Sequence, residues 1–200
     1  DCRAVKNVGY VAVVNSISSA DDSSEIPSSF VYSVKINERN ELDIDTMQIF
    51  PEPNQINVRL WSRNDDLFLI YTYNANALPS TCTLYKLFGE AFNATDFLPC
   101  QNSRVVEFFT IRKELFIFIG NYHELNGTTN TFSSIMRFNA TTKKFNIHQK
   151  LYTNAIRVGK HFYLDYNRQR QHFLFIGNSY DVPSIVYKFV NGFFVPQIGR

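Results

Sequence analysis

Glycine is scarce in this sequence, at eight residues, and cysteine scarcer still, at three. Three thiols exclude a disulfide-stapled miniprotein, and no CxxC spacing supplies a zinc ligand set. Long apolar runs are missing too: Leu115 to Ile119 and Phe173 to Ile176 fall far short of the roughly 18 to 20 residues that cross a bilayer. Charge of one sign is nearly absent, since 20 Lys and Arg face 18 Asp and Glu for a net +2. That balance leaves no electrostatic footprint for nucleic acid and none for insertion at an anionic membrane. There is no GxSxG elbow, no glycine-rich phosphate loop and no HxxxH or HxH pattern among His123, His148, His161 and His172. No charged segment followed by an apolar one opens the chain, so a secretion signal is expected to have been removed already.

What is present points to strands. The 200 residues are 44% apolar and 19% charged, an ordinary folded composition of single-domain size, and they include 19 Phe and 11 Tyr. Short apolar runs alternate with Asn, Ser, Thr and Asp clusters about every ten residues, the spacing of antiparallel strands joined by turns. The expected class is all-β.

An internal repeat narrows it. SVKI (33–36), LYKL (84–87), IMRF (135–138) and VYKF (186–189) centre on Lys35, Lys86, Arg137 and Lys188, each 51 residues from the last. The basic residue stands between two apolar neighbours, the alternation of a half-buried strand. Downstream in each unit lies a glutamine: Gln48, Gln101, Gln149 and Gln197. Upstream lies an apolar strand ending in Asn15, Asn74, Asn121 or Asn178, and a further apolar stretch separates each glutamine from the next such strand. Four strands per unit of about 50 residues is the blade of a β-propeller. The chain opens on one further-type strand, Ala4 to Val8, which is expected to complete the last blade.

The fourth unit, FLFIGNSYDVPSIVYKFVNGFFVPQ (173–197), resembles an EAR repeat, also called EPTP, as found in the leucine-rich glioma-inactivated proteins and other extracellular EAR-repeat proteins. Its marks are an apolar strand ending in Asn, then Ser-x-x-Tyr-Lys-Phe, Asn-Gly-x-Phe and Gln. The third unit shares Ser134 to Phe138, Phe145 and Gln149, and the first two match loosely. The resemblance implies a secreted, non-enzymatic propeller that binds an extracellular protein or receptor ectodomain in adhesion or recognition. Such propellers usually have seven blades. Four units here are either a closed four-bladed ring or part of a larger ring completed by other sequence or another chain.

Two alternatives stand beside that reading: a structural subunit of a multichain extracellular assembly, and a carbohydrate-binding or carbohydrate-processing propeller. Cys82 and Cys100 flank the turn near Gly89 and Glu90, and a hairpin there brings them within bridging distance. Cys2 is then left over for an intermolecular bridge to another chain. Asn93, Asn126 and Asn139 open N-x-S/T sequons beside turns and are the candidate glycan sites. Glu107 and Asp165 interrupt the apolar runs VVEFF and FYLDY; they are expected to face solvent, with a calcium site as the alternative if both line a channel. No other cofactor is expected. Asp21 with Asp22, and Asp65 with Asp66, read as solvated turns, and the ladder Lys35, Lys86, Arg137 and Lys188 as structural. The loops Ser16 to Ser29 and His123 to Thr131 are the candidate partner contacts.

Overall fold

The structure, a computed structural model, describes residues 1–15, 28–51, 55–73, 81–100, 102–122, 130–179 and 183–197. The loop residues 16–27 and 123–129 lie outside that set, and with them Asp21, Asp22, His123 and Asn126, as do Asn74 and Gln101.

The described residues form sixteen strands in four antiparallel sheets of four, and no helix. The first sheet holds β1 (Cys2–Val5), β2 (Val8–Val13), β3 (Ser29–Ile36) and β4 (Leu42–Phe50). The second holds β5 (Gln55–Arg63), β6 (Asp66–Tyr73), β7 (Thr81–Phe88) and β8 (Ala91–Pro99). The third holds β9 (Ser103–Ile111), β10 (Glu114–Asn121), β11 (Asn130–Asn139) and β12 (Lys144–Asn154), and the fourth β13 (Val158–Tyr166), β14 (Gln169–Gly177), β15 (Ile185–Val190) and β16 (Phe193–Gln197). Each sheet is a propeller blade made of consecutive strands. β1 pairs with β2 through a tight turn in which Lys6 takes a left-handed φ of 55°. The N-terminal strand therefore opens the first blade and does not complete the last.

The chain divides into two compact units, Asp1–Pro99 and Cys100–Arg200, of two blades each. In the first, Phe50 meets Tyr71 at 5.1 Å and Tyr85 at 5.0 Å between ring centres, and Leu60, Leu69, Ile70 and Leu84 are buried. In the second, Phe109, Phe116, Phe118, Ile135, Leu174, Ile176 and Phe194 form one core. Each such side chain stabilises the fold by about 1.5–3 kcal/mol through burial alone.

The sequence repeats acquire physical roles. Gln48 on β4 donates to the Phe92 carbonyl of the next blade (3.1 Å) and accepts from the Phe92 N–H (2.7 Å). Gln149 on β12 makes the same pair with Phe194, both at 2.8 Å. A glutamine amide thus pairs like a strand with one residue of the adjoining blade and satisfies its backbone. Three strand-ending asparagines donate to a backbone carbonyl further along the chain, Asn15 to that of Ser28 (3.0 Å), Asn121 to that of Phe132 (2.7 Å) and Asn178 to that of Pro183 (3.0 Å).

Strand pairing corrects the register of the first two units. A β-bulge on the outer strand precedes Gln48, Asp96 and Gln149, which face Val31, Leu84 and Ile135. Asp96, not Gln101, holds the glutamine's place in the second blade. Two residue pairs along, an aromatic of the second strand faces the basic position: Phe68 with Lys86, Phe116 with Arg137, Phe173 with Lys188. In the first blade the aromatic is Tyr10, and its partner is Ser33. Lys35 sits two residues nearer the hairpin, opposite Asp43.

Candidate functional site

Each blade begins with a hairpin closed by a two-residue turn, and in three of them the aromatic lies seven residues after its partner: Arg3 with Tyr10, Trp61 with Phe68, Phe109 with Phe116. In the fourth blade Phe162 pairs with Phe173, so β13 and β14 run two residue pairs further before the turn at Asn167 and Arg168. Both turn residues take positive φ, 50° and 61°, the geometry that matches strand twist in a tight hairpin.

The base of this long hairpin is fixed. Gly159 lets β13 approach the third blade; a Cβ there falls against the Phe118 ring and lies 2.9 Å from Val105. Lys160 Nζ sits 2.7 Å from Glu107 Oε1, and His161 stacks on Phe109 with ring centres 4.5 Å apart. His161 also meets His172 across the ladder, Nε2 to Nδ1 at 3.1 Å. Burial, then the neighbouring His172 and Lys160, hold His161 down at about 4, and burial followed by Arg170 and Arg112 lowers His172. Both rings are thus neutral near neutrality, one donating to the other.

The tip is exposed on both faces. Tyr163, Asp165, Arg170 and His172 share one face by pairing, and Leu164, Tyr166, Gln169 and Gln171 the other. Arg170 lies over the Tyr163 ring at 3.9 Å and donates to both Asp165 oxygens at 3.1 and 3.2 Å, which lowers the Asp165 carboxyl below its usual range. Leu164 is 56% exposed where its counterpart Ile111 is 1%, and Tyr166 is 65% exposed. Aromatic and arginine side chains held on a rigid ribbon are the composition of protein-contact hot spots. Their signal in the sequence is the eleven-residue spacing between Phe162 and Phe173.

The two carboxylates read as a calcium alternative are each matched by a cation. Glu107, expected to face solvent, is buried on β9 and paired with Lys160; Asp165 is exposed and paired with Arg170. Among the described residues no three His, Cys, Asp or Glu side chains gather into a metal-sized group. Of the histidines, His161 and His172 come together, while His148 stacks on Phe193 (5.1 Å) and meets the Gly192 carbonyl at 2.7 Å.

Cys82 and Cys100 are disulfide-bonded, as their hairpin position implies, since Cys82 pairs with Leu98 two residues before Cys100. Cys2 is exposed with a free thiol. Asn93 and Asn139 are both exposed, Asn93 on β8 and Asn139 at the end of β11, where its side chain accepts from the Thr141 and Thr142 amides at 2.9 and 3.2 Å.

No known family's sequence model matches the chain, and no curated protein matches it. In fold it is similar to a chain from the complex of the fission yeast SREBP–SCAP binding domains, with a TM-score of 0.51 and 11% identity. The match covers 94% of this chain and 52% of that one, so the chain spans about half the length of its structural neighbour. The likeness is one of fold.

Proposed function

We propose that this chain is an EAR-like propeller segment that works as a non-enzymatic, extracellular protein-binding module. The observation that carries the reading is the fourth blade's elongated hairpin: its base is locked by Gly159, His161 and Lys160, and its tip offers Tyr163, Leu164, Tyr166 and Arg170 to solvent. A rigid ribbon loses little conformational entropy on binding, and tyrosine and arginine give large contact area per ordered side chain. Secretion to an adhesion or recognition role is supported by the Cys82–Cys100 disulfide, which belongs to oxidising compartments, and by exposed sequons at Asn93 and Asn139. That the fold neighbour comes from a complex of binding domains agrees with the reading.

The test is cell-surface binding of the fluorescently labelled chain against a Tyr163→Ala/Tyr166→Ala variant. Binding is expected to fall at least roughly tenfold, the effect of losing about 1.4 kcal/mol at a hot spot, with an unchanged melting temperature. Undiminished binding by that variant removes the hairpin as the contact surface. The exposed thiol of Cys2 favours a second reading, a subunit of a multichain extracellular assembly. A mass that collapses on reduction, and does not do so in Cys2→Ser, supports it.

A further inference from the structure

The joints between blades within the two units share one design and differ at one place. In the second unit the space beside the Gln149 clamp is filled: His148 stacks on Phe193, and Phe116 meets both His148 (5.6 Å) and Phe189 (6.2 Å). In the first unit the corresponding residues are Met47, Ala91, Tyr10 and Leu87, and a cleft of about 300 Å³ opens there, lined by Tyr10, Ser33, Lys35, Asp45, Met47 and Glu90 among others. That volume is at the lower end of the roughly 300–1,000 Å³ of small-ligand pockets.

What the first blade lacks identifies the ligand. In the second blade Lys86 Nζ lies 5.6 Å from the Phe68 ring centre and 2.8 Å from Asp66, two residues before that aromatic. In the third, Arg137 pairs with Glu114, two residues before Phe116. The first blade keeps the aromatic, Tyr10, but has Ser33 for the cation and Val8 for the acid. The cation opposite the aromatic and the acid two residues before it are missing together, and the cleft lies at that place. Tyr10 is about nine-tenths buried, and no described residue hydrogen-bonds its hydroxyl. Asp45, opposite Ser33, and Glu90, from the β7–β8 turn, bring two carboxylates to the cleft; Lys35 brings one ammonium, and among the described residues none of the three is in an ion pair.

The geometry points to a cation-binding site: the cleft takes a primary ammonium or guanidinium over Tyr10, between Asp45 and Glu90, in the place that Lys86 fills in the neighbouring blade. An aromatic ring, two carboxylates and the hydroxyls of Tyr10, Ser33 and Thr46 line the cleft, which is the chemistry that such a group requires. An anion is disfavoured by the one net negative charge of Asp45, Glu90 and Lys35. That the cation is a lysine or arginine side chain of a bound protein rests on the protein-binding reading above; the site itself does not.

Blocked lysine, Nα-acetyl-lysine methylamide, titrated into the isotope-labelled chain tests it. Saturable shifts are expected at the amides of Ser33 and Gly89, absent with the Nε-acetylated probe and at least roughly tenfold weaker in Asp45→Asn/Glu90→Gln. Ser33→Lys, which restores the ammonium in the chain itself, is expected to block the probe while the fold persists. Equal shifts with the Nε-acetylated probe, or full affinity in either variant, overturn the site. Tighter binding of putrescine than of blocked lysine keeps the cation site and overturns a protein as its source. Because Tyr163 and Tyr166 are elsewhere, their double alanine variant leaves the titration unchanged, so failure of the hairpin as a contact surface reads separately from failure of the cleft.

Discussion

The two blade joints, Gln48 with Phe92 and Gln149 with Phe194, hold by the same pair of hydrogen bonds and part company just beside them. In the second unit an imidazole and three phenyl rings close the space; in the first a methionine, an alanine and a tyrosine leave it open. The clamp fixes the spacing of the blades, and what fills the gap next to it is then free to serve packing in one unit and binding in the other.

The comparison is broken most forcefully at its aromatic pair. Phe116→Ala empties a position enclosed by Phe109, His148 and Phe189, and is expected to cost about 3–5 kcal/mol in urea denaturation. Tyr10→Ala, at the matching place beside an existing cleft, is expected to cost less; equal losses mean that the cleft is not a real difference between the joints. Next come the clamps: Gln48→Ala and Gln149→Ala each strand a backbone N–H and C=O, and each is expected to lose about 1–3 kcal/mol. A marked inequality between these two means that the shared hydrogen bonds do not hold both joints alike.

Acid sharpens the contrast, because His161 lies only in the second unit. Its folded value of about 4 is below the unfolded 6.5, so the unfolded chain binds the proton more readily. Stability from this residue is complete above pH 6.5 and is lost as the pH falls toward 4. Discounted for the part of the ring that water screens, the loss is on the order of 1–2 kcal/mol, and His161→Phe is expected to flatten that limb of the stability profile. The smallest effect belongs to Ser33→Lys. Returning a lysine to Tyr10 is expected to raise stability by less than about 1 kcal/mol, and a loss instead means that the cleft cannot accept a cation.

The blades were legible from the sequence because alternation marks the strands of all four, while asparagine marks strand ends in three and glutamine a joint in two. The register was less so. A basic residue every 51 positions places Lys35 in the ladder, yet hydrogen bonding puts Ser33 opposite Tyr10, since a hairpin can absorb two residues without leaving a trace in local alternation. The aromatics Tyr10, Phe68, Phe116 and Phe173 would have given the true frame. Gln101 misled for a similar reason: Asp96 follows the bulge, and bulges have no residue signature here. Glu107 looked solvated because its partner Lys160 lies 53 positions away on another blade, beyond the reach of any local pattern. The long hairpin was hidden because the repeat was measured from the third strand, and the added residues sit between the first and the second.

The glutamine clamp has a consequence for how such a chain diversifies. It recognises the amide and carbonyl of Phe92 or Phe194, groups that every residue except proline carries, so the two hydrogen bonds themselves do not depend on which side chain stands at the position they grip. A joint written in backbone groups leaves little trace in the sequence: the strands on either side can be lengthened or refaced while the same amide pair is kept, and two such joints can share their geometry with few letters in common.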